Sequence, residues 1–524
     1  MWVDVIVDEI LASRPSDRYV INDAWSPSGP VHMGSLRGVI LHDSVARGLQ
    51  DAGRDVEFIY GFDDYDPLDS IPAIAPPEFR RYLGMPLSEV PSPAGDGMSF
   101  ARHYALEFAG VFNRFGVRPA QYWTSEMYTS GRFNDAIRTA LDRADELIQI
   151  DREISGSRKA ERHPVQVVCE HCGRVGTTVV TGWDGRVVSY ECRADKVTWA
   201  AGCGHRGARS PFDGGSKLQY IVEWAAKWKI LGVSVEGAGK DHMTKGGSHD
   251  RASAMVERVF DYPTPYAIAY EYFLTGGRKM ASSTGLGTRA TDLAALLRPD
   301  LARFLIVRPL FRQQINFDPG GEAIPTLYDD YDRAAAAYFG EAQASSPAES
   351  ETIRDYARTF YYARTNGEQP HAYRMRFTKV AHLIQMPNVD LVRAAADEKG
   401  APLTDADREE LALRAADARR WLQTHAPASY RFEVQPSLPP AVLSGAQRRF
   451  LGRLADIVAD GRPDGDSLQA AIHTLKNEMG LPPKDAFGAI YQVFLGKESG
   501  PQAGWLLASL DRDLVVTRLR DAAS

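Results

Sequence analysis

The stretch Tyr19-Val20-Ile21-Asn22-Asp23-Ala24-Trp25-Ser26-Pro27-Ser28-Gly29-Pro30-Val31-His32-Met33-Gly34-Ser35 decides the fold. Its start is aromatic and β-branched, which suits a strand. Ser26 to Pro30 then breaks the strand, and Leu36, Val39, Ile40 and Val45 fall at helical spacing. A strand over residues 19–24, a helix over 34–52 stopped by Gly53, and a second strand over 56–60 make a βαβ unit. Such a unit requires a parallel sheet, with ligands held beyond the carboxyl ends of its strands. At the turn, free backbone N–H groups and the positive end of the helix dipole aim at one point, which suits phosphate. His32 lies beside that point, and Gly34 lets a ligand approach the main chain. Taken alone, the turn is no more than a strand-to-helix corner.

Three further segments gain meaning beside it. Gly277-Arg278-Lys279-Met280-Ala281-Ser282-Ser283-Thr284-Gly285 carries a cation on a Gly- and Ser-rich loop, with two hydroxyls next to it. A departing pyrophosphate needs such a cation, although a lysine in a loop is ordinarily just solvated. Gly237-Ala238-Gly239-Lys240-Asp241-His242 follows an apparent strand and suits a nucleotide ribose and a substrate amine or carboxylate; a plain Asx turn is the alternative. Asp63-Asp64-Tyr65-Asp66 closes the second strand with three carboxylates, which repel unless a cation or donor neutralises them. A bound amino group is one such cation, and a solvated acidic turn is the alternative. Tyr220 and Trp224 share a helix face that could hold an aliphatic chain or stack a cation. Tyr266, Tyr270 and Tyr272 read as core.

Cys169-Glu170-His171-Cys172 opens a four-cysteine set completed by Cys192 and Cys203, each beside turn residues and separated by short β-branched runs. Four thiolates on paired knuckles make a closed tetrahedral zinc site that folds its module and takes no part in catalysis. His205 or His171 could replace one thiolate. Clustered cysteines in a chain of 524 residues argue against a disulfide scaffold. The length implies three or four domains. A net charge of -7 means that any nucleic acid must meet local basic patches, such as Arg374, Arg376 and Lys379 ahead of an apolar helix. No apolar run is long enough to span a membrane, and acids stand at the start where a signal peptide has basic residues, so a cytoplasmic enzyme is expected. The fold class expected is α/β: a Rossmann-like parallel sheet with an inserted zinc-ribbon module and a C-terminal all-α domain.

These residues together resemble the class I aminoacyl-tRNA synthetases. His32-Met33-Gly34-Ser35 is similar to their HIGH motif, and Lys279-Met280-Ala281-Ser282-Ser283 to their KMSKS motif. Within that class the chain resembles the class I lysyl-tRNA synthetases over nearly its whole length: in Pro27–Gly29, in Asp63–Leu68, in Gly239–His242 followed by Gly246-Gly247-Ser248, in Tyr270-Glu271, and in Phe487–Tyr491 with Leu495-Gly496-Lys497. Some positions depart from the family. Ser35 stands for asparagine, Ala281 for serine, Thr284 for lysine and Ala24 for glycine, while Tyr220-Ile221-Val222-Glu223-Trp224 stands for Trp-Arg-Val-Asp-Trp. Ser92–Gly97 with His103 lacks the cysteines of a second metal site that some members carry, so one zinc is expected.

The resemblance implies ATP-dependent activation of L-lysine to lysyl-adenylate, with Mg2+ accompanying ATP, and transfer to the terminal adenosine of tRNA(Lys) at its 2′-hydroxyl. A paralogue with another amino acid or a non-tRNA acceptor is the competing reading. The catalytic residues implied are His32, Lys279, Ser282 and Ser283. ATP would meet Pro27, Gly29, His32, Gly34, Ser35, Gly239, Asp241, Lys279 and Met280. The amino acid would meet Ala24, Ser26, Asp63, Asp64, Tyr220, Trp224, His242 and Tyr270. The metal ligands are Cys169, Cys172, Cys192 and Cys203, and tRNA would touch Arg374, Arg376 and Lys379. The domains expected are a catalytic first half, 1–162, with an excursion near 67–97; the zinc-ribbon-like insertion, 163–212; a catalytic second half, 213–290; a helical connecting domain, 291–389; and a helical anticodon-binding domain, 390–524. A monomer is expected.

Overall fold

The computed structural model describes the chain except residues 73–74, 157–162, 276–277, 280–288, 366–369 and 462–463, and leaves aside the side chains of 275, 278 and 279. Two compact units emerge: residues 1–317 with 340–367, and residues 318–339 with 368–524.

The first unit is built on five parallel strands: β1 (Arg18–Trp25), β2 (Asp55–Phe62), β3 (Ala120–Trp123), β9 (Val235–Gly239) and β10 (Tyr266–Tyr270), in the order β10-β9-β1-β2-β3. β1 pairs with β2 from Arg18↔Asp55 to Trp25↔Phe62, and with β9 at Ile21↔Val235 and Asn22↔Glu236. The expected βαβ unit is therefore present, with the crossover helix Ser35–Asp51. That helix buries residues all round, from Leu36 and Arg37 through Leu49, as a helix sunk between sheet and neighbours must. It can approach the sheet only because Gly38 has no side chain. A Cβ there would lie 2.7 Å from the Tyr270 hydroxyl and 2.9 Å from an Asp23 oxygen.

Two edge strands, β3 and β10, carry no expectation from sequence. β3 is short and exposed at its start, and β10 reads as an aromatic core run. The helical stretch near 131–150 is two helices, Asn134–Asp142 and Ala144–Ser155, broken at Arg143. The Arg143 guanidinium donates instead to the Val259 and Arg258 carbonyls (2.9 Å each), closing the end of the helix Ser248–Arg258. The helix Tyr220–Leu231 stops at Gly232, whose φ of 68° and N–H bond to Lys229 form a left-handed cap.

Between β3 and β9 comes the insertion: β4 (Val165–Val167), β5 (Thr178–Trp183), β6 (Val188–Cys192), β7 (Arg206–Arg209) and β8 (Ser216–Leu218). β5-β6-β7 form one antiparallel sheet, and β4 pairs with β8 to close the module's base. The second unit is helical among the described residues, from Ala323–Tyr338 through Arg512–Ala523. At its centre Tyr328 stacks on Phe377 at 4.0 Å, and Trp421 packs against Phe377. Among the described residues no helix is long and apolar enough to cross a membrane.

Candidate active site

In an open parallel sheet, ligands bind where successive strands depart to opposite sides. Here that point lies between β1 and β9. A cleft of about 340 Å³ opens there, at the carboxyl ends of both strands. From β1 and the turn beyond it come Ala24, His32, Gly34 and Ser35; Asp63 comes from the end of β2. The helix beside β9 supplies Tyr220 and Trp224, β9 and its exit supply Gly239, Asp241 and His242, and β10 supplies Tyr270. All of these carry a sequence expectation, and the fold gathers them around one space.

At one end of the cleft, the helix Ser35–Asp51 begins with Gly34 at its cap and no side-chain cap; the Ser35, Leu36 and Arg37 N–H groups donate to the His32, Met33 and Gly34 carbonyls at 3.1 Å each, so the positive dipole end is what faces the cleft. Such an end attracts anions. Its position relative to the strand hairpin that follows β10 is held by Arg37. The buried guanidinium donates to the carbonyls of Glu271 (2.8 Å), Tyr272 (3.0 Å), Leu310 (3.3 Å), Phe311 (3.0 Å) and Gln313 (2.7 Å). Burial pushes Arg37 down to about 10, still charged at neutral pH. Sequence reading missed it because an arginine on a helix gives no sign of which distant carbonyls it will meet. Beyond Arg37's carbonyls, β11 (Phe273–Thr275) turns back into β12 (Arg278–Lys279), pairing Leu274 with Lys279. The backbone of Lys279 is thus placed; Met280, Ser282 and Ser283 lie outside the described residues.

The other end is aromatic and acidic. Tyr220 stacks on Trp224 with ring centres 6.0 Å apart, and the Tyr220 hydroxyl lies 3.4 Å from His242 Nδ1. Behind them, Glu236 of β9 accepts from the Trp224 indole at 3.1 Å and from the Trp228 indole. Burial pushes the Glu236 carboxyl up to about 7. His42 accepts the Gly237 N–H at Nε2 (2.7 Å), so its proton is on Nδ1, facing the Gly38 carbonyl at 2.7 Å.

Asp63 sits at the end of a buried row of charges. Lys227 reaches Asp63 at 2.7 Å and Glu223 at 3.8 Å; Lys217 reaches Glu223 at 2.6 Å and Asp66 at 2.8 Å. The Tyr128 hydroxyl donates to Glu223 at 2.6 Å, and Ser26 donates to Asp66 at 2.5 Å. Ser26 therefore faces the row and does not line the cleft. Asp64 turns the other way, accepting from the Ser125 N–H (2.7 Å) and hydroxyl (2.5 Å) at the start of the helix Thr124–Thr129. Pro27 and Gly29 are buried in the turn ahead of His32, outside the cleft wall. Lys227, Lys217 and Glu236 carried no expectation, and Glu223 only as part of the Tyr220–Trp224 stretch compared with the family. The i,i+4 spacing of Glu223 and Lys227 was a visible signal, but it reads equally as a surface helix pair.

A family model described as "tRNA synthetases class I (K)" matches residues 1–360. The chain belongs to this family. It is also 33% identical to "Lysine--tRNA ligase 1" of Methanosarcina acetivorans, over 100% of this chain and 98% of that one. A "Lysine--tRNA ligase" of Methanosarcina barkeri is 32% identical over the same shares, and one of Archaeoglobus fulgidus is 31% identical over 99% of each. The family therefore covers the second unit as well as the first.

In the insertion, Cys169, Cys172, Cys192 and Cys203 bring all four sulfurs within 4.8 Å of one another. Cys169 and Cys203 lie 3.7 Å apart, as do Cys172 and Cys192. A zinc ion with four thiolates at about 2.3 Å has tetrahedral edges of about 3.8 Å, so the donor set fits. His171 and His205 stack on each other at 5.9 Å and are not among the four-sulfur group. The Cys203 N–H points at Cys192 Sγ (3.4 Å) and Thr177 Oγ1 lies 3.3 Å from it, an outer shell of the kind that fixes thiolates.

The three cations expected to meet tRNA, Arg374, Arg376 and Lys379, all engage partners within the second unit. Arg376 pairs with Asp329 at 2.7 Å and Lys379 with Glu398 at 2.6 Å, while Arg374 donates to the Ala372 carbonyl at 3.0 Å. Arg376 and Lys379 line one hollow of about 430 Å³ with His382 and Trp505; Arg374 does not.

Proposed function

We propose that this chain is a lysine–tRNA ligase: it joins lysine to ATP as lysyl-adenylate, releases pyrophosphate, and passes lysine to the 3′-terminal adenosine of tRNA(Lys). The observation that carries the reading is the cleft itself. In a chain of this family, the positive end of the helix dipole behind His32 faces an aromatic, carboxylate-floored recess, which suits a phosphate chain at one end and an ammonium at the other.

In the first step the lysine carboxylate attacks the α-phosphorus and the bond to pyrophosphate breaks. No protein nucleophile is required, so catalysis is positioning and charge stabilisation. His32, with Gly34 and Ser35 at the positive end of the helix dipole, meets the phosphates. Lys279, with Ser282 and Ser283, would balance the charge on the leaving pyrophosphate, Met280 would contact the nucleotide, and Mg2+ accompanying ATP would supply further charge neutralisation. Gly239 leaves room for adenosine: a Cβ there would meet nothing within 4 Å, so the space beside it is open. Asp241 takes the ribose. Tyr220, Trp224, His242 and Tyr270 enclose the lysine chain, and Asp63 and Glu236 receive its ammonium. One zinc, held by the four cysteines, supplies a rigid centre to the insertion. The helical residues 390–524 take the anticodon side of tRNA, and Arg374, Arg376 and Lys379, ahead of them in 291–389, are further tRNA contacts.

The test is ATP–pyrophosphate exchange with each of the twenty amino acids, with and without total tRNA. Lysine-dependent exchange is the expected result, and its loss in His32→Ala is the control on the site. Exchange with a different amino acid alone would replace lysine in this reading and keep the chemistry.

A further inference from the structure

Glu223 does not reach the cleft; its side chain is 3% exposed, between Lys217 and Lys227. The row it centres runs Asp66, Lys217, Glu223, Lys227, Asp63, and only its last two members touch the cleft. Burial by itself would discharge the two lysines. The carboxylates on either side outweigh it, holding Lys217 and Lys227 above the ordinary lysine value. Three carboxylates face two ammonium groups; burial pushes the Glu223 carboxyl up while Lys217 and Lys227 pull it back toward the charged form, and with Glu223 ionised the row is one positive charge short. Charges removed from water must be compensated nearby, and here the open end is the Asp63 carboxylate on the cleft wall.

We propose that Glu223 is a positioning residue for substrate choice: by keeping the buried row one cation short, it makes the pocket at Asp63 demand an amino acid whose side chain ends in a cation. The proposal rests on the lysine reading above and adds the residue that enforces it. Removing the carboxylate of Glu223 while keeping its shape balances the row at two acids and two lysines, and the demand for a substrate cation vanishes. Removing Lys217 as well, far from the cleft, returns the row to one cation short. A merely structural role predicts the opposite order, with the double variant worse than the single.

The experiment measures KM for lysine, KM for ATP and kcat in aminoacylation, with norleucine, lysine without its terminal ammonium, as the uncharged competitor. Glu223→Gln is expected to raise KM for lysine ~10-fold or more, with kcat and KM for ATP within about twofold, and to narrow the preference for lysine over norleucine. Glu223→Gln combined with Lys217→Met is expected to regain at least part of that preference. An unchanged KM in the single variant, or a double variant worse than the single, overturns the proposal. The wild-type enzyme gives a reading that needs no variant to fold: norleucine competing within about threefold of lysine would also overturn it. Failure of the lysine reading is a different result, in which the wild type does not charge lysine at all.

Discussion

Lys217 and Lys227 meet their carboxylates with side chains 2% and 4% exposed, whereas Arg376 meets Asp329 with 66% of its side chain in water. Both regions put cations on acids at similar distances, 2.6–2.8 Å for their short contacts. The energetic meaning differs. In the first unit the partners have no water to fall back on, so each holds its neighbour's charge state and position. In the second, water competes, and the pair is worth little to stability while its cation can leave for a phosphate. Distance alone does not distinguish a built site from a surface available to a polyanion; burial does.

The largest expected effect sharpens that contrast at the level of the units. Stripping zinc with a strong chelator, or Cys192→Ser, should unfold the insertion, since thiolate zinc supplies ~10 kcal/mol or more of folding energy in small modules. Hydrogen exchange should rise in residues 163–218 and stay unchanged in 391–524; equal protection loss in both stretches would break the separation of the units. Metal analysis should return one zinc per chain. Next in size, Lys227→Met leaves Asp63 and Glu223 facing each other without their shared cation, and urea unfolding should show a loss of ~3–5 kcal/mol. A loss near that of a surface pair would put the buried row in the same class as Arg376.

Glu236 gives a pH signature. Its carboxyl titrates at about 7 because burial penalises the charge, so between its ordinary value and 7 the folded chain holds a proton that the unfolded chain has released. Stability therefore falls as pH rises through that window, by up to ~3 kcal/mol, while the ionised carboxylate that appears near pH 7 strengthens lysine binding. Glu236→Gln should flatten both profiles; a lysine KM that does not fall between pH 6 and 8 in the wild type would remove Glu236 from the ammonium's surroundings. Smallest is Arg376→Ala: under ~1 kcal/mol in stability, but a severalfold higher KM for tRNA with the salt slope reduced by ~1. An unaltered slope would show that Asp329 keeps the arginine.

Local pattern carried a large part of this. Tyr19 to Ser35 announces strand, turn and helix because each residue's preference agrees with its neighbours, and the structure returns β1 and Ser35–Asp51 within a residue or two. The cysteine spacing likewise announced a metal knuckle. What the pattern hid was anything set by partners distant in the chain. Asp63 and Asp64 are adjacent and alike in sequence, yet the alternation of a strand end sends one to Lys227 and the cleft, and the other to Ser125. Ser26, placed beside the amino acid by resemblance, bonds Asp66 in the floor beneath it.

From sequence alone came the parallel sheet, the strand-to-helix turn at His32, the four-cysteine module and the helical tail, since periodicity, turn chemistry and short spacings are local quantities. The tertiary structure alone decided which charges are buried together. Lys217 and Asp66 stand 151 positions apart, and Lys227 and Asp63 164, and only the return of the chain from the insertion brings them out of water side by side. Desolvation depends on everything packed around a group, and no single stretch of sequence contains that information.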